Sequence, residues 1–289
     1  MHAAWLKKSS RPVVPLTKIQ TDILRILAAH RDPESYVAGS TPLNRNTPRF
    51  SGDIDVFHDR EERVSRAVEE DTATLEQSGF SLQWIRNEPS IRSALAEKLG
   101  QVTKIERVVD SDFRFFPTLR DGVFGYVLHP VDLATNKVAA AYGRHEPRDV
   151  VDLLTIHQRI LPLGPAVWAS AGKTLGFTPE GIINEIRRQA RYTEADFRRV
   201  ATDPPLDPTD VMIQLRAILT EAETFVSQMP TDKVGLLFLE HGKVVQPDPS
   251  RLSTYQTHAG QRRGHWPSSP EISAAMFERM AEEAGYGHP

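Results

Sequence analysis

The chain has 289 residues, 39% of them apolar, enough for one large core or two smaller ones, and ordinary domain sizes favour two lobes. With 35 basic and 38 acidic residues the net charge is -3, so no global field draws the chain to nucleic acid and any such contact needs a local basic patch. The absence of cysteine excludes disulfides, thiolate metal sites and a cysteine nucleophile, leaving oxygen or imidazole ligands for any metal. No apolar run approaches the ~20 residues that cross a bilayer. The first residues, MHAAWLKKSSRPVVP, lack the apolar core of a secretion signal, so the expected location is cytoplasmic, with no membrane partner.

Leu16, Ile19, Ile23, Ile26 and Leu27 recur at helical spacing, and Asp32-Pro33 closes a first helix over 16–30. Tyr36-Val37-Ala38 reads as a short strand ended by Gly39-Ser40. Ile54, Val56 and Phe57 alternate with Asp53 and Asp55 as in a half-buried strand. A charged amphipathic helix follows over 60–77, with Gly79 as its terminator, and strands are expected over 80–85, 103–109 and 126–128. Asp132 caps a helix to Tyr142, and Pro147 opens another to about Ile160. Beyond a linker over 161–165, helices are predicted over 179–192, 194–200 and 208–229, then a hairpin over 236–246 turning at His241-Gly242. Residues 257–270 read as a polar link to a last helix over 271–285. The expected fold class is α+β: a lobe with a small mixed sheet over 1–160, then a mainly helical lobe over 161–289.

Asp53 and Asp55 stand at alternate strand positions and project to one side, so both can reach one or two Mg²⁺ or Mn²⁺ ions. Metal held by carboxylates neutralises a triphosphate and aligns an attacking oxygen, which suits nucleotidyl transfer from an NTP. An Asp-x-Asp pair is common as exposed strand acids. What gives it meaning is Gly39-Ser40 upstream, with twelve residues intervening before Asp53, where a glycine admits close backbone approach and the serine hydroxyl can bond phosphate oxygens.

The segment YVAGSTPLNRNTPRFSGDIDVF resembles the signature of the polymerase-β-like nucleotidyltransferases, hydrophobic-Gly-Ser followed by Asp-hydrophobic-Asp. A second stretch, HPVDLATNKVAAAYGRHEPRDVVDLL, resembles the AbiEii-like toxins, the nucleotidyltransferase half of type IV toxin–antitoxin systems; Leu43, Arg49 and Ser51 also fit. The two blocks cover about Tyr36 to Leu154, and beyond them the likeness is one of layout. The resemblance implies that Gly39 and Ser40 position the triphosphate, Asp53 and Asp55 bind metal, Lys137 contacts phosphate and Asp152 completes the catalytic set. It also implies an RNA acceptor, the tRNA 3′ end above all, and a cognate antitoxin as protein partner.

The residues by themselves leave alternatives. Lys137 can be a solvated helix lysine, and Asp152 can pair with Arg148 four residues earlier. Asp149 competes with Asp152, with a role in supporting a loop or Arg144 as the other reading. Glu106 and Asp110 both offer a third carboxylate, as ligand or general base, and Arg49 can bind phosphate or pair with Asp53. The ten histidines show no ligand spacing and read as surface or capping residues; Gly172-Lys173-Thr174 lacks the upstream glycine of a phosphate loop. Arg187, Arg188, Arg191, Arg198 and Arg199, near Tyr192 and Phe197, form either an RNA-tracking patch or a solvated face, since Glu180, Glu185, Glu194 and Asp196 are interspersed. The rival functions are transfer to a small molecule or a protein side chain, and a nucleotide-binding module without turnover.

Overall fold

The computed structural model describes residues 16–110, 113–173 and 176–261. Their contacts group into two compact units: 16–110 with 117–129, and 113–116 with 130–261.

The first unit is built on a seven-stranded mixed sheet. Its strands are β1 (Ser35–Ala38), β2 (Asp53–His58), β3 (Ser81–Glu88), β4 (Ile91–Lys98), β5 (Gln101–Val109), β6 (Leu119–Asp121) and β7 (Gly125–Val127). They lie in the order β3-β4-β5-β2-β1-β7-β6, with β2 central; β2–β5 and β1–β7 are parallel and the other pairs antiparallel. Helices α1 (Lys18–Leu27) and α3 (Glu61–Gln77) bury Ile19, Ile23, Leu24 and Leu27, and Val64, Val68 and Leu75. They pack against β5 and the strands beside it, where Ile54, Val56, Ala94, Ala96 and Ile105 are buried. The four-residue α2 (Ser40–Leu43) joins β1 to the segment before β2.

The start of α1 and the end of α3 are each fixed by their own residues. Thr17 and Gln20 close a capping box at the start of α1. At the end of α3 the Gly79 N–H bonds Glu76 and the Phe80 N–H returns to Leu75, with Gly79 at φ +81° as the left-handed terminator. β4 was not expected. Its sequence, IRSALAEK, is made largely of helix formers. It is a strand because it pairs β3 on one side and β5 on the other along its whole length, a tertiary override of local preference.

Under α3 lies a buried charge cluster. The Asp71 carboxylate accepts from Arg31 at 2.5 Å, from Arg107 Nε at 3.0 Å, and contacts His30 Nδ1 at 3.0 Å. Burial pushes the Asp71 carboxyl up, but Arg31 and Arg107 overcome it and hold the pKa below the usual range. His58, at the end of β2, is fully buried beside this cluster. Burial first, then Arg31, lowers its pKa to about 3, so the ring is neutral. The expectation that the histidines are surface or capping residues fails here, at His129, also wholly buried, and at His258. A neutral imidazole is apolar enough to close a core where a strand ends beneath a helix.

The second unit contains α4 (Pro130–Gly143), α5 (Pro147–Arg159), α6 (Leu163–Ser170), α7 (Pro179–Gln189), α8 (Glu194–Phe197) and α9 (Pro208–Gln228). A three-stranded sheet of order β10-β8-β9 joins them, from β8 (Leu236–Glu240), β9 (Lys243–Val245) and β10 (Gln256–Ala259). Of the stretch read as a linker over 161–165, residues 163–165 are instead the start of α6, eight residues that are all buried; Pro165 sits in its first turn, where a missing N–H costs nothing. Residues 257–259 belong to β10, paired with β8, rather than to a link, because His258 is buried with its Nε2 2.7 Å from the Phe115 carbonyl and its ring stacked on Phe116. The rest of that link beyond 261, and the last predicted helix, lie outside the described residues.

Candidate active site

Asp53 and Asp55 alternate with the buried Ile54 and Val56, so both carboxylates stand half-buried on the face of β2 opposite α1 and α3. In the parallel pairing Asp53 lies opposite Lys104 and Asp55 opposite Glu106, which puts Glu106 on that same face. The Glu106 carboxylate is 2.5 Å from Lys104 Nζ. Asp110 lies four residues further on, about 13 Å along a strand, and its carboxylate is bonded by the Tyr36 hydroxyl.

On the other side of Asp55 runs β1, with Ala38 opposite it, and then the turn at Gly39. Gly39 has φ +74°, and a Cβ placed there would lie 2.1 Å from Asp55 Oδ2. The glycine is therefore required twice, by the left-handed backbone and by the carboxylate lying against it. The turn itself is pinned by hydroxyls. Ser40 Oγ lies 3.1 Å from Ser51 Oγ, and the Asp53 carbonyl has Thr41 Oγ1 at 2.7 Å and Ser51 Oγ at 2.9 Å. Asn44 Nδ2 donates to the Ser40 carbonyl at 3.0 Å, and Gln20 of α1 donates to the Ser51 carbonyl at 3.0 Å. Arg49 is buried in the same loop, its N–H bonded to Thr47 Oγ1.

The other candidate residues stand in the helical unit. Lys137 of α4 is only 7% exposed, and its Nζ is 2.7 Å from Asp152 Oδ2 on α5, itself fully buried. Lys137 is thus no solvated lysine; the ammonium beside Asn136 belongs to Lys173. Nor does Arg148 take Asp152, since it turns to Glu146. Asp149 accepts from Arg144 Nε and Nη2 at 2.7 and 2.8 Å, a two-pronged pair that holds the chain between α4 and α5.

The arginine-rich run is largely neutralised within the unit. Arg187 pairs with Glu223 at 2.6 Å, Arg188 with Glu185 at 2.5 Å, Arg199 with Asp196 at 2.6 Å and Arg198 with Glu194 at 3.7 Å. Of the five, only Arg191 makes no ion pair with a described residue.

The donor set of the sheet unit bears on a metal. Among the described residues no three histidine or acidic side chains converge as a complete protein cage would. Two half-buried carboxylates on one strand are hard oxygen donors of the kind that hold Mg²⁺ together with water and substrate phosphates.

The sequence matches no protein-family model and no curated protein. Among solved structures, MenT4, a nucleotidyltransferase toxin from Mycobacterium tuberculosis H37Rv, aligns over 74% of this chain and 83% of that one, at 18% identity and a TM-score of 0.52. The chain has a nucleotidyltransferase fold. An antigenic nucleotidyltransferase-like protein from Paracoccidioides brasiliensis aligns over 62% of this chain and 96% of that one, at 12% identity and a TM-score of 0.37, too distant to add to the argument.

Within this nucleotidyltransferase fold the sequence located Gly39, Ser40, Asp53 and Asp55 on one strand–turn–strand unit, and the structure brings all four together. It did not single out Thr41, Asn44 or Gln20. The hydroxyl and amide residues crowded into STPLNRNTPRFS were the available signal, since a loop that turns tightly over a strand end needs polar partners for its own carbonyls.

Proposed function

We propose that this chain is a metal-dependent nucleotidyltransferase toxin that transfers a nucleoside monophosphate from an NTP to an RNA hydroxyl, at the tRNA 3′ end, and so blocks translation. The observation that carries the chemistry is the Asp55 carboxylate lying against the Gly39 turn, with Asp53 beside it on one face of β2.

In this reading Asp53 and Asp55 hold Mg²⁺ or Mn²⁺, which when bound neutralises the triphosphate. Ser40 and the turn amides take phosphate oxygens. The acceptor oxygen forms a bond to the α-phosphorus, the bond from that phosphorus to the β-phosphate oxygen breaks, and pyrophosphate leaves. Glu106, on the same face and paired with Lys104, is assigned the hydroxyl proton in this reading. Lys137 is assigned to phosphate on the strength of its motif, and Asp152 to holding its ammonium in place. The protein partner would be a separately encoded antitoxin.

The ion-paired arginines favour one rival acceptor, because a neutralised helix face is no track for an RNA backbone. Transfer to a small molecule or a protein side chain is therefore the second reading. The test incubates the chain with each labelled NTP, Mg²⁺ or Mn²⁺, and total tRNA. Label entering tRNA with wild type, and none with Asp53→Ala, is the expected result. NTP consumption with no labelled RNA would move the acceptor to the second reading, and NTP retention without turnover would leave a binding module.

A further inference from the structure

The helical unit contains a cleft that the chemistry above does not use. It has a volume of about 490 Å³ and is lined by Tyr192 and Phe197 and, at the start of α9, by Asp207, Met212, Ile213 and Arg216. Glu194 also lines it and is paired with Arg198 at 3.7 Å. The aromatic wall is braced. The His145 ring stacks on Tyr192 with centroids 4.3 Å apart and planes 14° from parallel, and Phe197, buried, meets Tyr192 edge-on at 5.7 Å. Such a wall keeps its shape without a ligand.

The α9 wall is unusual for a helix in a core. The buried face of α9 consists of Val211, Leu215, Ile218, Leu219, Ala222, Phe225 and Val226, and Ile213 lies off that stripe, 58% exposed at the cleft. Arg216 lies three residues after Ile213 and four after Met212, on the same side of the helix. It is exposed and makes no ion pair with a described residue, whereas four arginines of the neighbouring run are paired with acids. Asp207 is already committed, accepting the N–H groups of Thr209 and Asp210 as the α9 cap.

A rigid aromatic wall, an exposed aliphatic edge and a guanidinium without an ion pair among the described residues match a flat ring joined to an anion. We propose that this cleft receives one unpaired nucleotide of the RNA acceptor, its base against Tyr192 and Ile213 and its phosphate on Arg216. This rests on the RNA-acceptor reading. Aromatic stacking with a guanidinium on the backbone is how single strands are held without sequence preference, and the volume is that of a site for one small ligand. A duplex has no unstacked base to offer, so the cleft selects single-stranded RNA.

The test titrates the full chain, without NTP, into a labelled single-stranded oligoribonucleotide and into the same sequence as a duplex. Arg216→Gln and Ile213→Asp change exposed side chains, and each should weaken single-strand binding about 5- to 10-fold while leaving the duplex unchanged. Tyr192→Phe keeps the ring and should bind as wild type, and Tyr192→Leu, checked for an unchanged melting transition, should lose about tenfold. A 5-iodouridine oligonucleotide should crosslink at or beside Tyr192. Unchanged single-strand binding in Arg216→Gln and Ile213→Asp, or a crosslink confined to other segments, would overturn the proposal. The two readings separate in the transfer assay. Wild type that labels tRNA, with cleft variants of unchanged KM for RNA, sinks the cleft alone. Wild type that neither binds nor labels RNA sinks the acceptor reading.

Discussion

The Asp53–Asp55 face of β2 and the helical unit place their charges by different means. In the sheet unit the carboxylates of Asp53 and Asp55 are placed by backbone geometry, through the register of β2 and the left-handed turn at Gly39, and are left half-open. In the helical unit nearly every notable charge is consumed by a partner: Lys137 by Asp152, Arg144 by Asp149, and four of the five arginines by nearby acids. Asp132 shows the same economy. Fully buried, it accepts the N–H groups of Phe115 and Phe116 at 2.8 and 3.0 Å, and burial raises its pKa to about 6 against the opposing pull of Lys173 and those amides. A count of basic residues along a sequence therefore overstates the positive charge a surface offers. The free charge of this chain has to be sought residue by residue.

The contrast can be broken most severely at the Lys137–Asp152 pair. Lys137→Met or Asp152→Asn strands one buried charge and should cost about 3–5 kcal/mol in urea unfolding. The double change Lys137→Met with Asp152→Leu should recover most of that stability. If transfer activity returned with it, the pair would be only a brace and not part of the phosphate machinery.

Gly39→Ala comes next. Its methyl would press on Asp55, and a displaced carboxylate should lower NTP turnover on the order of 100-fold. The melting temperature should fall by several degrees, as expected for about 1–3 kcal/mol of strain at a backbone of φ +74° and ψ −146°. Activity within threefold of wild type would mean that the contact between Asp55 and the turn is incidental.

Acid sharpens the comparison further. His58 is neutral in the fold with a pKa of about 3, whereas an unfolded histidine takes a proton near 6.5. Stability from this group is complete above about 6.5 and is lost as pH falls towards 3, about 2 kcal/mol by pH 5. Asp132 has the opposite sign: its raised pKa makes the helical unit gain stability as pH falls through about 6, offsetting the losses from His157 and His258, whose pKa values burial lowers. Amide exchange at pH 7 and pH 5, corrected for intrinsic rates, should show the sheet unit loosening more. His58→Met should remove that difference.

The smallest effect is expected at the paired arginines. Reversing Arg188 and Arg199 to Glu leaves an acid beside an acid at an exposed surface where solvent screens the repulsion, so the melting transition should hardly move. RNA binding should fall by less than about fivefold. A collapse of binding together with a change in salt slope would restore these residues as an RNA track.

What was legible in the sequence follows from the same difference. Alternation on β2, the Gly39-Ser40 turn, the Gly79 terminator of α3 and Pro147 at the start of α5 are local signals, and each was readable because one or two residues fix the backbone there; Asp132, expected as a cap, instead sits inside α4 and accepts the N–H groups of Phe115 and Phe116. β4 was not, because helix formers become a strand only through partners on both sides. α6 was not, because a segment buried all round has no periodicity to show. Glu106 and Asp110 could not be separated without the register, which puts the first opposite Asp55 and carries the second beyond the strand. Likewise the partner of Asp152 is 15 positions back on another helix, and helical spacing within α5 pointed to the wrong cation.

The turn at position 39 also changes how kindred sequences should be sorted. A copy that keeps Asp53 and Asp55 but carries any side chain in place of Gly39 has lost the space the second carboxylate occupies, so an intact aspartate pair does not certify a working enzyme. Decayed copies of such a gene would be recognised first at the residue with no side chain at all.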